Sequence, residues 1–161
     1  MIKIVPNHRS CENCTACCDG HLTGEAYGHK FYPGRRCAFV SRSGCSINDF
    51  KPQNPCVTFL CGYKYMPDFP SWTRPNLSNV IFVQRVYEGQ TYLHGSDTGR
   101  TPITEIFDWA RSWATKHNVN ILVPRESLRK SNAVFKISIY GPDDQFRQLY
   151  AAGHGNVELV D

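Results

Sequence analysis

Cys11-Glu-Asn-Cys14-Thr-Ala-Cys17-Cys18 opens the stretch whose reading decides the fold. Three thiols spaced two residues apart let one short loop turn several sulfurs toward one centre, and Cys18 adjoins the third. Cys37, Cys45, Cys56 and Cys61 follow, so all eight cysteines lie within residues 11–61 and the last hundred residues have none. Over those 51 residues Leu, Ile, Val and Phe number only 9, below the roughly 20% needed to build an apolar core. From 76 to 161 they number 24 of 86. Something other than apolar burial must therefore order the first half.

Disulfides would serve only in an oxidising compartment. The start, Met1-Ile-Lys-Ile-Val-Pro6-Asn-His8-Arg9, sets a proline and a histidine where an export leader is apolar, which predicts an unexported, cytoplasmic protein. Metal ligation by Cys11, Cys14, Cys17, Cys18, Cys37, Cys45, Cys56 and Cys61 is the expected alternative. A C-x2-C-x2-C run with a remote fourth cysteine is one way to hold a [4Fe-4S] cluster. The same loop could complete a tetrahedral zinc site with the later thiols. Both stay open; the iron–sulfur cluster is favoured because three closely spaced thiols precede a large remote set. Cys17 and Cys18, as chain neighbours, are expected to point different ways, so that one ligates and the other serves a second site or the core. Structural zinc contributes about 10–16 kcal/mol in small peptides, comparable with the stability of a whole domain.

The order of these residues resembles the CxxCxxCC family of zinc- or iron-chelating proteins. The matching elements are Cys11-Glu-Asn-Cys14-Thr-Ala-Cys17-Cys18, Cys37-Ala-Phe-Val, Gly44-Cys45-Ser46-Ile47 and Cys56-Val-Thr-Phe59-Leu-Cys61, over residues 11–64. The resemblance implies metal binding through all eight cysteines, and some larger relatives in that family are lysine methylases acting on flagellin. Asn48 stands where the family commonly has Tyr, Lys51-Pro52 where it has Arg-Pro, and Val57 where it often has Arg. The ligand set is intact.

Met66-Pro67-Asp68-Phe69-Pro70-Ser71-Trp72-Thr73-Arg74-Pro75 carries three prolines and reads as an extended connector, with a boundary near residue 72. Beyond it, Val80–Tyr87 and Gln90–His94 flank Glu88-Gly89 as a hairpin. Thr101-Pro102 suits a helix start, and Ile103, Ile106, Phe107, Ala110, Trp113 and Ala114 recur at helical spacing up to His117-Asn118. Val119–Val123 and the alternating Phe135, Ile137 and Ile139 read as strands, and Pro142–Ala152 as a short helix. The fold class expected is α+β: an irregular, metal-organised module over 1–72 and a small α+β domain with a mainly antiparallel sheet over 73–161.

Weaker signals complete the reading. His8, His21 and His29 could supplement the thiols, although eight cysteines need no help. The Gly95–Arg100 loop could bind an anion but reads better as a hairpin exit. Arg125, Arg129 and Lys130, with Arg35-Arg36, read as solvated charges. The formal charge is only +4, and one four-thiolate centre of net −2 would leave about +2, so nucleic acid is not expected as a partner. No apolar run approaches the roughly 20 residues of a membrane span. There is no G-x-S-x-G elbow and no H-E-x-x-H helix. The function expected is metal binding, with an unidentified protein partner. A zinc-structured interaction module and a cluster-dependent, protein-modifying enzyme are the alternatives.

Overall fold

The computed structural model describes residues 2–6, 9–11, 14–19, 22–32, 34–127 and 134–161. His8, His21, Arg129 and Lys130 lie outside them. Two short antiparallel ribbons occupy the cysteine-rich part: β1 (Gly24–Ala26) with β2 (His29–Phe31), and β3 (Val40–Ser41) with β4 (Gly44–Cys45). Ala26, Phe31, Cys37 and Ile47 form a small buried cluster between them. The rest of this part is single turns, as its shortage of apolar residues requires.

After the short helices α1 (Gly62–Tyr65) and α2 (Pro75–Ser78), the hairpin β5 (Val80–Tyr87) and β6 (Gln90–Asp97) begins the main sheet. Its turn is Glu88-Gly89, both with positive φ, the two-residue geometry that matches strand twist. Helix α3 (Glu105–His117), strands β7 (Asn120–Pro124) and β8 (Phe135–Tyr140), helix α4 (Asp144–Gly153) and strand β9 (Val157–Leu159) follow. The strands stand in the order β5-β6-β7-β8-β9. The α+β class stands, but the sheet is mixed rather than mainly antiparallel. β5/β6 and β7/β8 run antiparallel, whereas β6/β7 and β8/β9 run parallel. A helix of 13 residues lies between β6 and β7 and one of 10 between β8 and β9, and each carries the chain back to start a parallel neighbour.

This order dictates where the helices go. Crossovers between parallel neighbours take the right hand. β8 points opposite to β6 while the strand order keeps advancing, so the same hand throws α3 and α4 onto opposite faces. The side chains agree. Ile121 and Val123 pack with Ile106, Ala110 and Trp113 of α3, while Leu122 between them packs with Phe146 and Tyr150 of α4.

Residues before the sheet complete the α3 layer. Tyr63, Met66 and Phe69 are buried in the same cluster as Phe82, Leu93 and Trp113. Phe69 stands edge-on to Trp109, with ring centroids 4.8 Å apart. Helix α3 starts at Glu105 and not at Thr101; Pro102 is buried and Thr104 is the flanking residue. The strand β6 runs on through Gly95 to Asp97, over what sequence suggested was loop.

Candidate metal site

Five of the eight thiols line one cavity of about 330 Å³: Cys17, Cys18, Cys37, Cys45 and Cys56. Local backbone geometry brings each there. A single 3-10 turn, Ala16–Cys18, turns Cys17 and Cys18 to the same side, with their sulfurs 3.7 Å apart. Neighbouring side chains diverge fully only in extended chain, so the expectation that these two point apart fails in a helical turn. The Cys37 amide donates to the Cys18 carbonyl at 2.9 Å, which locks the second segment to the first. The β3–β4 ribbon sets Cys45 opposite Val40, and the turn Gln53–Val57 carries Cys56.

The remaining walls are apolar, including Leu22, Phe31, Ile47 and Phe59, and two cations complete them, Lys51 and Arg85. Arg85 is on β5, so the sheet itself reaches the thiol cavity. Neither cation was singled out from sequence as part of the site. The available signal was Lys51-Pro52, which keeps a positive charge where the resembled family has Arg-Pro.

Cys11, Cys14 and Cys61 stand outside this cavity and are drawn together elsewhere. The backbone N–H of Val5 donates to Tyr65 O at 2.7 Å and that of Arg9 to Lys64 O at 3.2 Å. The Arg9 guanidinium donates to Tyr63 O at 3.0 Å. These bonds lay the chain just before Cys11 along the chain just after Cys61. Cys14 turns back on Cys11 through an N–H···O bond of 2.9 Å.

Electrostatics follow the same grouping. Burial pushes the Cys61 thiol up to about 12, against backbone N–H groups of Lys64 and Tyr63 that reach its sulfur, and the fields of Cys14 and Cys11 raise it further. Burial also raises Cys14, opposed by backbone N–H groups of Ala16 and Asn76 and by the charge of Arg74. In the cavity, Cys18 is raised first by its contact with Cys17 and then by burial, with Lys51 opposing. Cys56 is raised by burial and by the fields of Cys18, Cys37 and Cys45, again against Lys51.

The donor set suits a soft metal. All eight cysteines are free thiols, and five of them share one cavity whose other walls are mostly apolar. Zinc–sulfur bonds of about 2.3 Å give a tetrahedral sulfur–sulfur edge of about 3.8 Å, and the Cys17–Cys18 pair already stands at 3.7 Å. Among the described residues no group of three or more His, Cys, Asp or Glu side chains is placed closely enough to hold a metal ion.

The lesser candidates have other duties. His29 is an exposed strand residue set edge-on to Phe39 at 5.3 Å. Asp97 accepts the Gly99 amide at 2.7 Å, so the turn after β6 already has an anion of its own. Arg125 donates to Tyr140 Oη at 3.2 Å and to the Asp161 carbonyl at 2.8 Å and lies over the Phe107 ring, a tie rather than a solvated charge. Arg36 pairs with Asp19 at 2.9 Å. Among the described residues no helix is long and apolar enough to cross a membrane. Comparison with protein families, with curated proteins and with solved structures returned no match.

Proposed function

We propose that this chain is a metal-binding protein whose eight cysteines, Cys11, Cys14, Cys17, Cys18, Cys37, Cys45, Cys56 and Cys61, hold an iron–sulfur cluster or zinc, as the resemblance to the CxxCxxCC family implies. The observation that carries the reading is the convergence of five free thiols on one cavity. Its size favours the cluster. About 330 Å³ has room for roughly ten or more waters, far more than a single ion needs and enough for an eight-atom iron–sulfur core.

When bound, a cluster supplies one-electron redox chemistry, and zinc supplies a structural cross-link. The chain's own groups have definite tasks. Apolar side chains surround the sulfurs, and Lys51 and Arg85 offset the negative charge of the thiolates. Backbone N–H groups at Cys14 and Cys61 favour the ionised sulfur needed for ligation.

The test is elemental analysis for iron, zinc and acid-labile sulfide on protein purified without oxygen. Iron with matching sulfide is the expected result. Zinc without sulfide would make this half a structural scaffold, and no metal with unreactive thiols would overturn the reading.

A further inference from the structure

Resting on the metal-binding reading, we infer that the eight cysteines divide between two centres, one drawn from Cys17, Cys18, Cys37, Cys45 and Cys56 and one that uses Cys11, Cys14 and Cys61. The spacing of the sequence alone suggests a different division, in which Cys11, Cys14 and Cys17 share a centre because they are evenly spaced. The fold cuts that run after Cys14. The 3-10 turn Ala16–Cys18 rotates Cys17 into the cavity, while the bonds from Val5 to Tyr65 and from Arg9 to Lys64 deliver Cys11 to Cys61.

Three features separate the groups, of which cavity lining is the geometric one. None of Cys11, Cys14 and Cys61 lines the cavity that the other five share. Each group has its own cation: Arg74 acts on Cys14, and Lys51 acts on Cys18 and Cys56. Backbone N–H groups reach the sulfurs of Cys14 and Cys61 from Ala16, Asn76, Tyr63 and Lys64, none of which is a cavity residue. Two thiolate sets with separate counter-charges and separate amide donors are two sites.

Five sulfurs surround the cavity, so four of them can close one tetrahedral centre with one to spare.

Cobalt(II) titration of the full chain without oxygen tests this, since thiolate-bound cobalt reports its ligand number in its visible and near-ultraviolet bands. The intact protein is expected to take up two cobalt ions. Cys61→Ser, and separately Cys11→Ser, should lose one and leave the other unchanged; Cys37→Ser with Cys45→Ser should lose the opposite one. Far-ultraviolet circular dichroism identifies variants that keep the sheet and α3, and the variants are compared among those. Uptake of a single ion, or loss of all binding on substitution in either group alone, would overturn the two-centre division while leaving metal binding in place. No uptake by the intact protein would overturn the metal reading itself.

Discussion

The indole Nε1–H of Trp113 donates to Oδ2 of Asp68 at 3.0 Å, which ties α3 to the connector that precedes the sheet. The same oxygen pairs with Nε2 of His117, one turn further along the helix. Trp113 is only 4% exposed, so removing its acceptor leaves a buried N–H without a partner. Asp68→Ala is expected to cost about 1–3 kcal/mol, read as a lower urea midpoint, and Asp68→Asn should recover most of it because the amide oxygen still accepts.

Phe69 makes the same tie through packing. It is 1% exposed and stands against Phe82, Trp109 and Trp113. Phe69→Ala should destabilise the sheet by about 3–5 kcal/mol. A chain starting at residue 73 would lose Tyr63, Met66 and Phe69 from that layer, and should show weak near-ultraviolet circular dichroism where a chain starting at 62 shows the native signal.

His94 makes stability depend on pH. Its Nδ1 meets the Tyr92 hydroxyl at 3.2 Å, and burial, with the charges of Arg85 and His154, lowers its pKa to about 4. The unfolded chain therefore binds the proton first, at about 6.5, and between those values it carries more protons than the fold. Stability is complete above about 6.5 and falls as pH drops toward 4, by at most about 3 kcal/mol from this group. Thermal melts at pH 7 and pH 5 should differ, and His94→Phe should reduce the difference; an unchanged difference would dismiss His94 as its source.

Metal removal should act unevenly. The cysteine-rich part has only a small buried cluster of its own, whereas residues from Tyr63 onward share the large core of the sheet. Chelator treatment is expected to open residues 22–60 to protease while a fragment from about residue 62 persists. Mass spectrometry of the limit fragments would show it, and equal loss of both parts would contradict it.

The elements that could be read in the sequence are those with local causes. The β5–β6 hairpin announces itself through Glu88-Gly89, and α3 through an apolar face repeating every three to four residues. β9 has only three residues, too few for any period to show, and its parallel pairing with β8 joins residues far apart in the chain. The parallel interfaces follow from crossover geometry that no single segment reveals. The cysteines themselves were plain, but their sorting was not. Spacing groups Cys17 with Cys11 and Cys14, whereas a turn of three residues sends it toward Cys37, Cys45 and Cys56. Arg85 could not be found because its partners lie across the whole fold.

The position of β5 at the end of the sheet bears on how the protein behaves in a crowded solution. Among the described residues no strand pairs with its outer side, an eight-residue edge of the kind that recruits strands from other molecules, whereas the opposite edge, β9, has only three residues. Ile4 and the segment Thr58–Leu60 lie beside Val83 and Gln84 of β5, and that segment sits between Cys56 and Cys61. A thiol-bearing loop thus stands beside this strand, and loss of its order would bare more of a border that other chains can pair with.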